Sequence, residues 1–523
     1  VTATEKTGGG ASASYALELK GVNKSFGLIR ANRNINLAVR PGTIHGIIGE
    51  NGAGKSTLMN IVYGMHTRDD GEILIDGERV DMRSSADAIS HGVGMVHQHF
   101  MLVPTFTVLE NVMLGTEGGA LLREGREAAR ARIVELSERY NLAISPDALV
   151  SDLNVGQRQR VEIIKALKGG AKILILDEPT GVLTPQEAEQ LFEVLKVLRD
   201  RGVAVLLITH KLAEIMEITD AVDIMRQGEI VGHRKTAQTS PAELAELMVG
   251  REVLLEVERT EVSPPGDVRF SASHLGYTSS QGVVELDDIS FEVRSGEILG
   301  VAGVSGNGQT QLMEVLAGMR HLTAGAINIL GTEVTPASET NPRIIRDVGV
   351  RHIPEDRHTH GLILHFEARE NMILGLQDSD LTGTGLLMDQ DAIEANCRAK
   401  MKDYDVRPSE PRHFAKNFSG GNQQKIVIAR EFSAHPVVLL VGQPTRGVDV
   451  GAIEFIHKQL LALRDAGCAI LLVSVELDEI MSLSDRIMVL CGGKNVGIVS
   501  RDEADRQTLG LMMAGQKRTG EAA

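Results

Sequence analysis

The residues best suited to do chemistry are GENGAGKST, Gly49 to Thr57, set between the apolar run TIHGII and the helically spaced LMNIVYGM. The pattern is G-x-x-x-x-G-K-[ST] in the strand–turn–helix context it requires. Gly49, Gly52 and Gly54 let backbone N–H groups of the turn, Asn51 included, converge on phosphate oxygens. A helix beginning near Lys55 adds its partial positive charge, and Thr57 lies in its first turn. Lys55 is then placed for the β- and γ-phosphates, and the Ser56 hydroxyl for Mg²⁺. A second group follows in ILILDEPT, where Asp177 and Glu178 end an apolar run and so sit at the C-terminal edge of a buried parallel strand. Asp177 suits a metal ion, and Glu178 suits orienting and deprotonating a water. LLITH brings His210 to a second strand end one helix later, which favours a role at the γ-phosphate over a structural one. VGMVHQHF ends a third strand and puts Gln98 within reach of the metal or the water. Phe26, in NKSFG, is either an adenine-stacking ring or a core residue.

These groups need a scaffold, and the chain carries its pattern twice. From Leu17, short β-rich runs alternate with helical segments, as in parallel sheets covered by helices. PGTIHGIIGENGAGKST from Pro41 returns as SGEILGVAGVSGNGQTQ from Ser295, an offset of 254. LNVGQRQRVEI from Leu153 returns as FSGGNQQKIVI from Phe418, and ILILDEPTGVLT from Ile173 as VLLVGQPTRGVD from Val438, both at 265. The sequence therefore divides into two copies of one domain, 16–253 and 268–515, with a single region of insertion accounting for 11 residues. The acidic, proline-containing 254–267 reads as a linker, and 1–15 and 516–523 as disordered tails.

Composition narrows the setting. Of 523 residues, 70 are acidic and 54 basic, a formal charge of −16, which disfavours a nucleic-acid partner. Cys397, Cys468 and Cys491 lack the paired spacing of a disulfide framework or zinc site, and imply a reducing compartment. His97, His99, His358 and His360 have no cysteine or carboxylate cluster beside them, which argues against metal binding. The longest apolar runs, such as Val203 to Ile208, fall far short of a membrane span, and no leader-like segment opens the chain. The expectation is a soluble cytoplasmic protein.

Taken together, the motifs resemble those of the ATP-binding-cassette (ABC) ATPases, over 17–515 in both halves. The resemblance implies an α/β fold of two tandem P-loop domains, each a RecA-like parallel core with an antiparallel β portion and a helical subdomain. It makes ATP and Mg²⁺ the cofactors, Glu178, His210 and Gln98 the catalytic residues, and Ser56, Gln98 and Asp177 the metal ligands. Phe26 becomes the adenine-stacking candidate. In this family a signature motif caps the γ-phosphate of ATP held by the other domain. Here it is FSGGNQQ, Phe418 to Gln424, with Ser419, Gly420, Gly421 and Gln423 as the residues assigned to nucleotide.

Departures from the family pattern sort into one site. The first signature reads LNVGQ, with Asn154 and Val155 in place of Ser and Gly. Gln309 replaces the phosphate lysine while Thr310 keeps the hydroxyl, Gly442 and Gln443 replace the carboxylate pair, and Val475 stands for His210. Glu355, in IPEDR, falls near the Gln98 position. Head-to-tail pairing then gives one site with every intact part and one with every defective part. Fused cassettes with a weakened second half resemble the ATPase subunits of bacterial importers of simple sugars and nucleosides. Met95 to Gly115 and Ile353 to Leu364 are most similar to the nucleoside branch. The implied partners are transmembrane permease subunits and, through them, a solute-binding protein, with the chain peripheral at the cytoplasmic face of the inner membrane and neither inserted in it nor bound to nucleic acid. A monosaccharide importer is the alternative. A twin cassette acting on ribosomes or DNA would call for a long basic linker or zinc cysteines, which are missing.

Overall fold

The computed structural model describes residues 15–27, 29–50, 52–97, 100–114, 122–181, 183–251, 266–304, 306–376, 388–448 and 450–516. The expected tails lie outside these residues save Tyr15 and Gln516, and so do Asn51, Gln98, His99 and the expected linker except Gly266 and Asp267. The chain divides into two units, Val1–Glu252 and Val253–Ala523.

The strands of the first unit are β1 (Leu17–Phe26), β2 (Ile29–Val39), β3 (Ile44–Gly49), β4 (Asp70–Ile75), β5 (Glu78–Val80), β6 (Val93–Val96), β7 (Ile173–Asp177), β8 (Ala204–Ile208), β9 (Ala221–Arg226) and β10 (Glu229–Lys235). They form an antiparallel sheet, β2-β1-β4-β5, and a mainly parallel one, β10-β9-β3-β8-β7-β6. The inner strands β3 and β8 are buried along their whole length, because both faces of the parallel sheet are covered. Side chains one residue apart point to opposite faces. Ile173, Ile175, Leu206 and Ile208 therefore pack with the antiparallel sheet and with Leu58, Met59, Ile61 and Val62 of the helix Lys55–Val62. Leu174, Leu176, Val205 and Leu207 pack on the other face with the helices Val155–Leu167 and Pro185–Asp200.

The second unit repeats this plan. Its strands are β11 (Val268–Thr278), β12 (Val284–Arg294), β13 (Ile298–Ala302), β14 (Ala324–Ile329), β15 (Thr332–Val334), β16 (Val350–Ile353), β17 (Val438–Gly442), β18 (Ala469–Val473), β19 (Arg486–Cys491) and β20 (Lys494–Ser500). The sheets run β12-β11-β14-β15 and β16-β17-β18-β13-β19-β20. Each unit is thus a parallel core with an antiparallel β portion and added helices, the α/β architecture expected.

The insertion differs from expectation, being spread over three places. The offset is 254 at the ends of β5 and β15, then 257 from the helix cap Ser84 to its counterpart Asn341. It becomes 260 from Asn111 to Asn371, which tie their local loops in the same way, and 265 from Leu149 to Phe414, which make equivalent bridges. Each addition falls between core elements, where extra surface chain costs little closure entropy.

Candidate active site

The first phosphate loop is shaped by what its glycines exclude. A Cβ on Gly49 would lie 2.3 Å from the Met225 carbonyl oxygen, and one on Gly54 2.2 Å from that of Ala31. Gly54 caps the helix Lys55–Val62 with no side-chain hydrogen bond, so its first N–H groups face the loop. Lys55 is buried there, and its ammonium donates to the carbonyls of Gly49 at 2.6 Å and Glu50 at 3.0 Å. Burial pulls its pKa below the ordinary lysine value, against the raising pull of Glu178, Asp177 and Glu50. A phosphate entering the loop would supply the missing counter-charge.

Asp177 and Glu178 stand side by side at the end of β7, with their pKa values moved in opposite directions. Burial, and then the neighbouring Glu178 charge, raise the Asp177 pKa, against a hydrogen bond from Ser56 and the charge of Lys55. Ser56 and Asp177 thus offer a hydroxyl and a carboxylate short of positive charge, a donor set that fits a divalent cation sharing its shell with phosphate. Burial would raise Glu178 too, but the hydrogen bond and charge of His210, with Lys55 and Lys211, bring it below the usual value. His210 Nδ1 and Glu178 Oε1 are 2.8 Å apart. Glu178 sits at a left-handed φ of +46°, and its N–H donates to the Ile208 carbonyl, which fixes the carboxylate against β8. An ionised carboxylate beside an imidazole can take a proton from a water aimed at a terminal phosphate.

Phe26 lies at the exposed end of β1, with the Lys24 ammonium 5.3 Å from its ring centre and the His66 ring edge-on at 5.4 Å. That placement excludes the core alternative.

In the second unit Ser419 caps the helix Gly420–Phe432, whose first residues are the glycine pair. The Arg357 guanidinium lies against Gly420, where a Cβ would come 2.7 Å from its Nη2 and 3.1 Å from the Gly447 carbonyl oxygen. Gln423 is placed differently from expectation. In the repeat Asn422 is the counterpart of Gln157, while Gln423 is buried, donating to the Ala415 carbonyl and bonded to His358 Nε2 at 2.8 Å. Its amide is committed inside the unit, a consequence of sitting one residue round the helix.

The comparisons bear directly on these motifs. The profile of the ABC transporter family matches residues 32–181 and 286–446, one match in each unit. The chain belongs to the ABC transporter family. Among its curated relatives, the nucleoside import ATP-binding protein NupA of Lactococcus lactis is 44% identical, covering 95% of this chain and 98% of the relative. The guanosine import ATP-binding protein NupO of Bacillus subtilis is 45% identical over 97% and 99%, and the glucose import ATP-binding protein TsgD13 of Haloferax volcanii 43% over 95% and 96%. An archaeal ribosome recycling factor, solved with a ribosomal stalk protein, shares the fold alone, with TM-score 0.59 at 18% identity over 91% of this chain and 89% of that one.

As an ABC ATPase with two cassettes, the protein binds nucleotide, and two residues not singled out in its sequence shape the sites. Glu214 accepts hydrogen bonds from the hydroxyls of Thr180 and Thr209, so one carboxylate ties the turn after Glu178 to the turn before His210. Glu187 receives the N–H of Gly156 at 3.3 Å, in the first turn of the helix capped by Asn154. Neither was legible, since each is an ordinary acidic residue on an amphipathic helix. No helix among the described residues is long and apolar enough to cross a membrane.

Proposed function

We propose that the chain hydrolyses ATP·Mg²⁺ at the first phosphate loop and so powers import of nucleosides through separate permease subunits fed by a solute-binding protein. Lys55, Ser56, Thr57, Gly49, Asn51, Gly52 and Gly54 hold the phosphates, Asp177, Ser56 and Gln98 the cation, and Phe26 the base. Glu178 deprotonates the water, with His210 and Gln98 as the other catalytic residues. Ser419, Gly420 and Gly421 cap the same γ-phosphate, and the chain works as a peripheral subunit at the cytoplasmic face of the membrane.

The 2.8 Å contact of Glu178 with His210, within reach of the Lys55 charge, carries the hydrolytic reading. The solute class rests on the nucleoside and guanosine importers among the relatives, at 44% and 45% identity. A monosaccharide is the second reading, since the glucose relative stands at 43%. A strain lacking this chain should lose uptake of labelled nucleosides and keep that of simple sugars. Loss of sugar uptake with nucleoside uptake intact would reverse the assignment.

A further inference from the structure

The chain leaving β16 makes a longer turn than the chain leaving β6. Val93 and Val350 open the two strands at an offset of 257. Lys165 donates to the Met101 carbonyl at 2.9 Å and Arg430 to that of Gly361 at 3.0 Å, equivalent bonds whose acceptors stand at an offset of 260. The second unit therefore has three more residues between strand and anchor, and they build the helical turn Arg357–Gly361. Asp356 caps that turn, accepting from the His358 and Thr359 N–H groups at 2.8 and 3.2 Å and from the Thr359 hydroxyl at 2.7 Å. The turn is thereby held, and its carboxylate is engaged.

Its first residue brings a guanidinium to the start of the helix Gly420–Phe432. Arg357 Nη1 donates to the Arg446 carbonyl at 2.9 Å. Nη2 lies between two glycines, where a Cβ on Gly420 would come 2.7 Å from it and one on Gly447 3.4 Å. Nε is buried without a hydrogen-bond partner among the described residues. Ser419 caps the helix through the Asn422 N–H, and the N–H groups of Gly420 and Gly421 have no acceptor among the described residues. Burial lowers the Arg357 pKa, against the raising pull of Asp356 and together with the lowering one of Arg446. A guanidinium beside the positive end of a helix is an unfavourable pair until an anion joins both. The first unit does the reverse. Its helix start holds the Glu187 carboxylate on the Gly156 N–H, and Ala452 stands where Glu187 would recur.

We propose that Arg357 is a further catalytic residue, donating from Nη2 to the terminal phosphate that Ser419, Gly420 and Gly421 cap. The helix start supplies neutral N–H donors, and Arg357 adds a full positive charge. Negative charge spreads over the phosphoryl oxygens in the transition state, and a donor already fixed in place stabilises it without reorganising. The bond from Nη1 to the Arg446 carbonyl does that fixing. The proposal rests on the reading that this helix start caps the phosphate held at Lys55.

The test uses the full chain in the assembled transporter. Arg357→Met should lower kcat by about 10²–10³-fold, the usual loss when one transition-state donor is removed. Arg357→Lys, which keeps the charge without the fork, should recover part of it. In the Glu178→Gln chain, Arg357→Met should weaken binding of ATP by about 10-fold and leave that of ADP unchanged, because ADP lacks the phosphate in question. A kcat within a few-fold of the parent overturns the proposal. So does an equal loss for ATP and ADP, which would make Arg357 only a strut between Gly420 and Arg446. Arg357→Gln, a polar stem without the charge, should behave like Arg357→Met and decides the matter if that variant does not fold. A harmless Ser419→Arg would instead sink the reading of the capping helix, and is measured in the same assay.

Discussion

The Glu187 carboxylate accepts a hydrogen bond from the Gly156 N–H at 3.3 Å, so an anion stands at the start of the helix capped by Asn154. The matching residue of the second unit, 265 positions on, is Ala452, and the matching helix start carries Ser419, Gly420 and Gly421. A helix N-terminus already holding a carboxylate is a poor seat for phosphate, because like charges compete for the same N–H groups. The first unit's signature thus departs from a phosphate cap both in its sequence and in what occupies it.

That difference sets the first prediction. Lys55→Ala and Ser419→Arg should each nearly abolish ATP hydrolysis, and the double variant should be little worse, because parts of one catalytic unit are strongly non-additive. Asn154→Ala and Gln309→Ala should change turnover only a few-fold. Steady-state phosphate release from the assembled transporter checks all five, and a harmless Ser419→Arg would refute the pairing.

Glu178→Gln should keep ATP binding and lower turnover by about 10²–10⁴-fold, the usual contribution of a positioned general base. The amide cannot take a proton, and it also loses its charged partner in His210. Fluorescent-nucleotide titration alongside phosphate release separates the two effects, and near-normal turnover would remove Glu178 from the mechanism.

Glu214→Ala should lower kcat by up to about 10²-fold with KM little changed. The carboxylate ties Thr180 to Thr209, and with them the turns that set Glu178 against His210. Glu214→Gln, which keeps one acceptor, should recover part of the loss. A fall in nucleotide affinity with kcat intact would show that it acts elsewhere.

A pH dependence should follow from a cluster peculiar to the first unit. Asp223 bonds to His45 Nε2 at 2.9 Å and to His233, where the second unit has Met488, Leu299 and Ile498. Burial would raise the Asp223 pKa, but the hydrogen bonds from His233 and His45 outweigh it and bring it below the usual value. The hydrogen bond to Asp223 raises His233, against burial and the charge of Arg234. The His233 contribution is therefore fully present below its unfolded pKa, about 6.5, and is lost as pH rises through the higher folded value. The Asp223 contribution is present above about 3.9 and is lost as pH falls through the lower folded value. Thermal unfolding of the chain should show Tm falling as the pH rises above about 6.5, and the His45→Leu, Asp223→Met, His233→Ile variant should flatten that slope. An unchanged slope would place the titrating groups elsewhere.

The sequence by itself determined the repeat, the two α/β units and the first unit's loop, carboxylates and histidine. These are local patterns: apolar runs such as Ile173 to Leu176 must be buried, and a glycine-rich turn before a helix admits few backbones. It also located the second unit's helix start at Ser419, although Gln423 turned inward by one step of the helix. What only the tertiary structure decided depends on residues far apart in the chain. Glu355, just past the end of β16, accepts a hydrogen bond from the Thr310 hydroxyl, 45 positions earlier in the chain. Glu187 reaches the Gly156 N–H and Glu214 the Thr180 hydroxyl for the same reason, that packed elements bring a carboxylate to donors the sequence sets 31 and 34 residues away. Hydrophobic periodicity fixes which face of an element is buried. Which polar group meets which at its end is set by the packing of several elements at once.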